Sequence, residues 1–246
     1  MGEIIAVLSG KGGTGKTSLC AGLAAALSQQ GLRVLCIDCD VGLRNLDISL
    51  GMSDGSALSF LDVLEGGYTL AQAPRHERFP GLSFLTAPMN CPVERIHADA
   101  FAAFARRAAV YYDYILLDAP AGVDAGFRLV TAAADRFLVV TLAHPAAIRD
   151  ASRVGDLLEL AGKKNVRLVV NRVARNLLGS LNMTIDDVMD SAGLPLLGVV
   201  LEDPGITLAA GLGKNIMEYA PRGDGAKAFR RIAKRLQGIP EPLKLR

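Results

Sequence analysis

The apolar residues of this chain gather in short blocks separated by longer mixed stretches. Blocks at Ile4 to Ser9, Val34 to Asp38, Leu82 to Thr86, Tyr114 to Asp118, Phe137 to Thr141, Arg167 to Asn171 and Leu196 to Leu201 are of strand length and are broken by Gly, Asp or Pro. Between them lie helix-compatible stretches, clearest at Lys16 to Gln30, Val93 to Val110, Ala146 to Leu160 and Ala226 to Leu236, where Ala, Leu, Arg and Glu dominate. Strands alternating with helices predict an α/β fold, a doubly wound and mainly parallel sheet with helices on both faces. Several blocks end in Ser, Asp, Thr or Asn. In such folds ligands sit at the carboxyl ends of the strands, so these polar residues should converge on one rim. No internal repeat or low-complexity tract interrupts the pattern.

One of these junctions carries chemistry. Between the first apolar block and the first helical stretch stands Gly10-Lys11-Gly12-Gly13-Thr14-Gly15-Lys16-Thr17, followed by Ser18, a full match to the phosphate loop G-x-x-x-x-G-K-[ST]. Glycines at 12, 13 and 15 let backbone N–H groups curl around phosphates, and the following helix points its positive end at them. Lys16 supplies charge to the outer phosphates, and Thr17 a hydroxyl to Mg²⁺. The loop therefore predicts binding of a nucleoside triphosphate with Mg²⁺. Tyr114-Ile115-Leu116-Leu117-Asp118 has the Walker B pattern, in which a carboxylate closing a buried strand holds a metal-bound water. Asp38 and Asp40 follow the second block. Carboxylates suit phosphoryl transfer because that reaction asks mainly for positioning and charge stabilisation. Asn171 ends another block with an amide that can read the donor and acceptor edge of adenine by a bidentate contact.

Composition narrows the field. A chain of 246 residues can bury a substantial core, and no composition break suggests a second domain, so residues 1–246 read as one domain with a body of about 2–237 and a tail of 238–246. Half the residues are hydrophobic, yet no run approaches the roughly 18 to 20 needed to span a bilayer. The first residues lead straight into a strand, leaving no room for a cleavable signal, and the four cysteines fit a reducing compartment; the expectation is a cytoplasmic protein. The net charge of +2 is too small to argue for nucleic acid.

Lys11, directly after the first glycine, makes the loop deviant. With it the chain resembles the MinD/ParA family of P-loop ATPases, whose signature is K-G-G-x-G-K-T, and within it the MinD type. The segment Asp38 to Asp47 meets that type's D-x-D-x-G-x-x-N-L-D pattern without a mismatch, and Asp118-Ala119-Pro120-Ala121-Gly122 its D-x-P-A-G segment. The resemblance implies that Lys11 reaches across a nucleotide-sandwich dimer to the partner's phosphates, that Asp40 orients the attacking water, that Asp38 lies close to the Mg²⁺ shell and that Gly122 frees a backbone N–H near the γ-phosphate. It also implies an adenine site at Asn171 and Arg172. Glu202 and Asp203 would line the base through their backbone only, because Leu201 replaces the family's proline. Ile148-Arg149-Asp150 matches a family segment that would bring Asp150 near the active site at the dimer interface, with a helix-surface acid as the plain alternative.

The cysteines do not extend the picture to a metal cluster. Cys36 and Cys39 would face opposite sides of a strand, and Cys91, within Pro88-Met89-Asn90-Cys91-Pro92, lacks a second thiol beside it. Phe229, Ile232, Ala233 and Leu236 form an amphipathic stripe beside Arg230, Arg231, Lys234 and Arg235, a pattern compatible with anionic lipid. Core packing explains such a stripe equally. The tail beyond it is twice interrupted by proline, which opposes the terminal membrane helix of MinD-type proteins.

By resemblance, then, the chain is a MinD-like ATPase that dimerises on ATP and Mg²⁺ and switches a partner interaction by hydrolysis, in spatial organisation such as septum placement. The partner would be a regulatory protein in the manner of MinC or MinE, with the inner membrane surface as a peripheral location and no nucleic acid. The alternatives are a DNA-partitioning ATPase of the ParA type and a nucleotide-binding scaffold with little turnover.

Overall fold

The computed structural model describes residues 1–41, 43–53, 57–89, 91–174 and 183–243. Seven strands, β1 (Glu3–Leu8), β2 (Val34–Asp38), β3 (Leu82–Leu85), β4 (Tyr114–Asp118), β5 (Arg136–Leu142), β6 (Val166–Val173) and β7 (Leu196–Leu201), form one all-parallel sheet in the order β3-β2-β4-β1-β5-β6-β7. Each lies on its predicted apolar block. The blocks are continuous because both faces of the sheet are buried: Ile4, Ala6 and Leu8 of β1 join one core layer, Ile5 and Val7 the other.

Helix α1 (Lys16–Ser28) packs in the second of these layers together with α10 (Asp224–Leu236). The first layer takes α4 (Ala98–Ala108), α5 (Ala125–Ala133), α6 (Pro145–Leu160) and α7 (Ile185–Ala192). Short helices α2 (Leu46–Leu50), α3 (Phe60–Leu64), α8 (Pro204–Gly211) and α9 (Ile216–Tyr219) complete the described set. The helix expected over Val93 to Val110 is split: a 3₁₀ turn at Val93–Arg95 precedes α4, because Ile96 leaves helical geometry to bury its side chain.

The stripe on α10 faces inward. Phe229, Ile232, Ala233 and Leu236 are all buried against the body, so that stripe is core and offers nothing to lipid. Three of the four basic residues beside it are tied locally: Arg235 donates to the Leu197 and Glu241 carbonyls, Lys234 pairs with Glu241, and Arg230 donates to the Pro221 carbonyl. The last three residues of the predicted tail lie outside the described residues. Among the described residues no helix is long and apolar enough to cross a membrane.

Two registers place the chemistry. Val7 of β1 pairs with Asp118 of β4, and Asp38 of β2 pairs with the same Asp118. Both carboxylates thus end adjacent strands on the rim where β1 runs into the phosphate loop. The chain leaves β1 towards β2 on one side and β5 towards β6 on the other, so the strand order reverses beside this loop.

Candidate functional site: a phosphate loop beside two strand-end carboxylates

The loop is shaped by residues that touch it from distant parts of the chain. Gly13 and Gly15 have φ of 79° and 87°, left-handed values that favour glycine. A side chain at Gly15 would collide with the Asn171 amide, whereas Gly12 and Gly13 face open space. The first glycine has another role: a Cβ on Gly10 would stand 2.6 Å from Asp150 Cβ and 2.8 Å from its carbonyl, so Gly10 lets the loop lie against α6. Asp150 accordingly sits beside the phosphate loop. The Ser9 hydroxyl donates to the Lys11 carbonyl at 2.7 Å and holds the first bend.

Helix α1 begins without a side-chain cap and without an acid in its first turn. Its first backbone N–H groups, at Lys16, Thr17 and Ser18, therefore face the cradle unsatisfied, an arrangement that favours an anion. Lys16 is only 7% exposed. Burial lowers its pKa, while the negative charges of Asp118 and Asp40 pull it back up. Asp40 is itself raised by burial and lowered by Lys16. Lys11 projects from the exposed part of the loop and makes no ion pair among the described residues.

The strand-end carboxylates divide the work unequally. Asp118 is fully enclosed, and burial with the neighbouring Asp38 pushes it to about 7, against the Thr17 hydroxyl and Lys16. Its Oδ1 has no hydrogen-bond partner. Asp38 has both oxygens engaged: Oδ1 accepts from Asp40 N at 2.9 Å, Oδ2 from Asn45 N and Leu46 N at 3.3 and 3.2 Å. Burial raises it to about 6 despite those three bonds. Asp38 thus folds the segment after β2 onto the start of α2. Gly42 of that segment lies outside the described residues, as does Asn90 beside Cys91.

The unpartnered Asp118 oxygen, the equally unpartnered and buried Thr14 hydroxyl, the uncapped α1 and the open glycine cradle fit a triphosphate carrying Mg²⁺. Among the described residues no group of three or more His, Cys, Asp or Glu could hold a metal. Mg²⁺ takes few protein ligands and completes its shell with phosphates and water.

Three of the expected site residues are engaged within the chain. Gly122, with φ 90°, donates its N–H to the Ser9 carbonyl at 3.1 Å, so that group is engaged rather than free. Asn171 is 4% exposed and donates Nδ2 to the Thr14 carbonyl at 2.8 Å, so it supports the phosphate loop, while its Oδ1 has no hydrogen-bond partner. Asp203 spends both carboxylate oxygens on helix starts, accepting from Gly205 N at 2.8 Å in α8 and from Gly225 N at 2.9 Å in α10. Arg172, at φ 51° in an irregularity of β6, and Glu202 are both exposed and pair at 3.8 Å. Cys36 and Cys39 do lie in opposite core layers. All three supports of the loop, Gly10 against Asp150, Asn171 on Thr14 and Ser9 on Lys11, depend on contacts that periodicity does not signal. Only the amide at the end of an apolar block hinted at Asn171.

A model of the CobQ/CobB/MinD/ParA nucleotide binding domain matches residues 5–216. The septum site-determining protein MinD of Synechocystis is 36% identical over 244 residues, 98% of this chain and 92% of that protein. Among solved structures, the MinC:MinD cell division protein complex of Aquifex aeolicus superposes with a TM-score of 0.88 at 34% identity, covering 98% of each chain. Septum site-determining protein MinD of Pyrococcus horikoshii, complexed with Mg-ADP, gives a TM-score of 0.84 at 29% identity over 96% of each chain.

Proposed function

This chain belongs to the CobQ/CobB/MinD/ParA family and is a MinD-type ATPase, and on that premise we propose that it is an ATP-driven dimerisation switch acting on a protein partner in the placement of the division septum. The reading rests on one juxtaposition: Asp38 and Asp118 end adjacent strands beside an open glycine cradle that leads into α1 and its buried Lys16. In it, the amides of residues 12–18 and Lys16 bind the triphosphate of ATP. Thr17 and Asp118 would hold Mg²⁺, which neutralises charge on the phosphates. Asp40, half-buried beside Lys16, orients water for attack on the γ-phosphorus, and Asp38 holds the backbone carrying Asp40 through the Asp40 N–H. Hydrolysis breaks the bond from the γ-phosphorus to the β–γ bridging oxygen and leaves ADP and phosphate.

Lys11 is the partner-facing element. Exposed and without an ion pair among the described residues, it would neutralise the triphosphate of a second copy, so that ATP closes the dimer and hydrolysis opens it. We read residues 1–246 as one domain. Arg172 and Glu202, exposed beside the end of β6, are assigned to the rim of the base site. A partner in the manner of MinC, which the Aquifex complex holds with its MinD, would recognise the closed form. Phosphate release from ATP tests the reading. Wild type should turn over with Mg²⁺ and stop without it, and Asp40→Ala should bind ATP yet release phosphate at least about tenfold more slowly. Wild-type turnover by Asp40→Ala would remove its assigned role.

A further inference from the structure

Asn215 lies in the turn between α8 and α9, far along the chain from the phosphate loop, yet it is 0% exposed. Its amide is fully employed. Nδ2 donates to the Ala21 carbonyl of α1 and to the Ser49 carbonyl of α2, both at 3.2 Å, and Oδ1 accepts from Met217 N at 2.9 Å, capping α9. The backbone closes in as well: a Cβ on Gly51, at the end of α2, would stand 3.0 Å from Asn215 N.

We infer that Asn215 is a positioning residue that clamps α2 to α1 and thereby fixes Asp38 and Asp40 relative to Lys16. The mechanics follow from the bonds. Asp38 holds the start of α2 through Asn45 N and Leu46 N, and the same carboxylate holds Asp40 N. Asn215 holds the other end of α2, through Ser49, onto the helix that begins at Lys16. The short α2 is therefore a strut anchored at one end by the carboxylate that carries Asp40 and at the other by α1. Releasing the far end lets Asp40 drift from Lys16 without touching the phosphate cradle. The inference deepens the ATPase reading and rests on it for its kinetic arm.

Two variants test it from opposite sides. Asn215→Asp keeps the cap oxygen for Met217 but replaces the two donated protons with a carboxylate facing carbonyls. Gly51→Ala leaves Asn215 intact and crowds its backbone from α2, at a position where φ is 77°. At temperatures where both remain folded, kcat should fall about tenfold or more while ADP affinity changes less than about threefold, because misplacement of the water-orienting group is felt in turnover. Hydrogen exchange, which needs no turnover, should show faster exchange at Asn45, Leu46 and residues 49–52, with α1 beyond its first turn unchanged. Wild-type kcat and unchanged exchange over 45–52 in both variants would overturn the clamp. Uniform exchange gains over the whole chain, with kcat and ADP affinity falling together, would make Asn215 merely structural and equally overturn it. Absence of turnover in wild type would instead overturn the ATPase reading, and the exchange arm would still decide the clamp.

Discussion

Lys16 shows how much a single residue is asked to do. It is buried, and burial lowers its pKa while the charges of Asp118 and Asp40 raise it, so its ammonium offsets the carboxylates of the site before any phosphate arrives. Lys16→Ala should abolish measurable ATP binding by calorimetry in the micromolar range, because the cradle amides remain but the desolvated charge pairing with phosphate is gone; retained affinity would contradict it. Gly15 makes a second point at the same scale. Gly15→Ala places a side chain at φ 87° and into the Asn171 amide, and should destabilise the protein by about 2 kcal/mol or more in urea unfolding. The glycines, Lys16, Thr17 and the strand-end aspartates were legible from spacing, because the motif itself encodes a backbone geometry. The pairings were not: Asn171 on Thr14 and the Gly122 N–H on Ser9 are contacts across many residues, and while the segment around Asp150 pointed to the site, nothing in it named Gly10 as its partner.

At the scale of elements, the strands announced themselves because a sheet buried on both faces leaves continuous apolar blocks. The short helices did not, since α2, α3 and α9 are too brief to show a helical period, although the Thr184 and Asp187 capping box before α7 was there to be read. Helix α2 is held by one further group, His76, whose buried Nε2 donates to the Leu50 carbonyl at 2.9 Å while Nδ1 accepts from Arg78 N and Phe79 N. Burial lowers its pKa from 6.5, opposed by the Leu50 bond and by Glu218 and Glu77, with Arg78 adding to the lowering. The folded protein therefore binds this proton less readily than the unfolded chain, and the contribution of His76 is complete above about 6.5 and is lost as pH falls below it. Asp118 and Asp38, raised to about 7 and about 6, act in the opposite sense, gaining stability on protonation as pH falls through that range. Only a difference isolates the histidine. Urea midpoints at pH 8 and pH 5.5 should show the stability advantage of wild type over His76→Gln shrinking on acidification; an advantage constant with pH would contradict the assigned neutral ring.

At the scale of the molecule, the rim at the carboxyl ends of β1, β2 and β4 gathers the phosphate loop and the strand-end carboxylates, and Lys11 stands exposed on it without an ion-pair partner among the described residues. In the proposed switch Lys11 finds that partner on a second copy, and dimerisation is how ATP is sensed. The most direct measurement is multi-angle light scattering of Asp40→Ala, which suppresses turnover, beside the Lys11→Ala, Asp40→Ala double variant, each with ATP and Mg²⁺ and each with ADP. Asp40→Ala should run as a dimer in ATP and a monomer in ADP, and the double variant should remain monomeric in both while still binding nucleotide. A double variant that dimerises in ATP as tightly as Asp40→Ala would contradict the account, leaving Lys11 a loop lysine and the dimer without the contact proposed to close it.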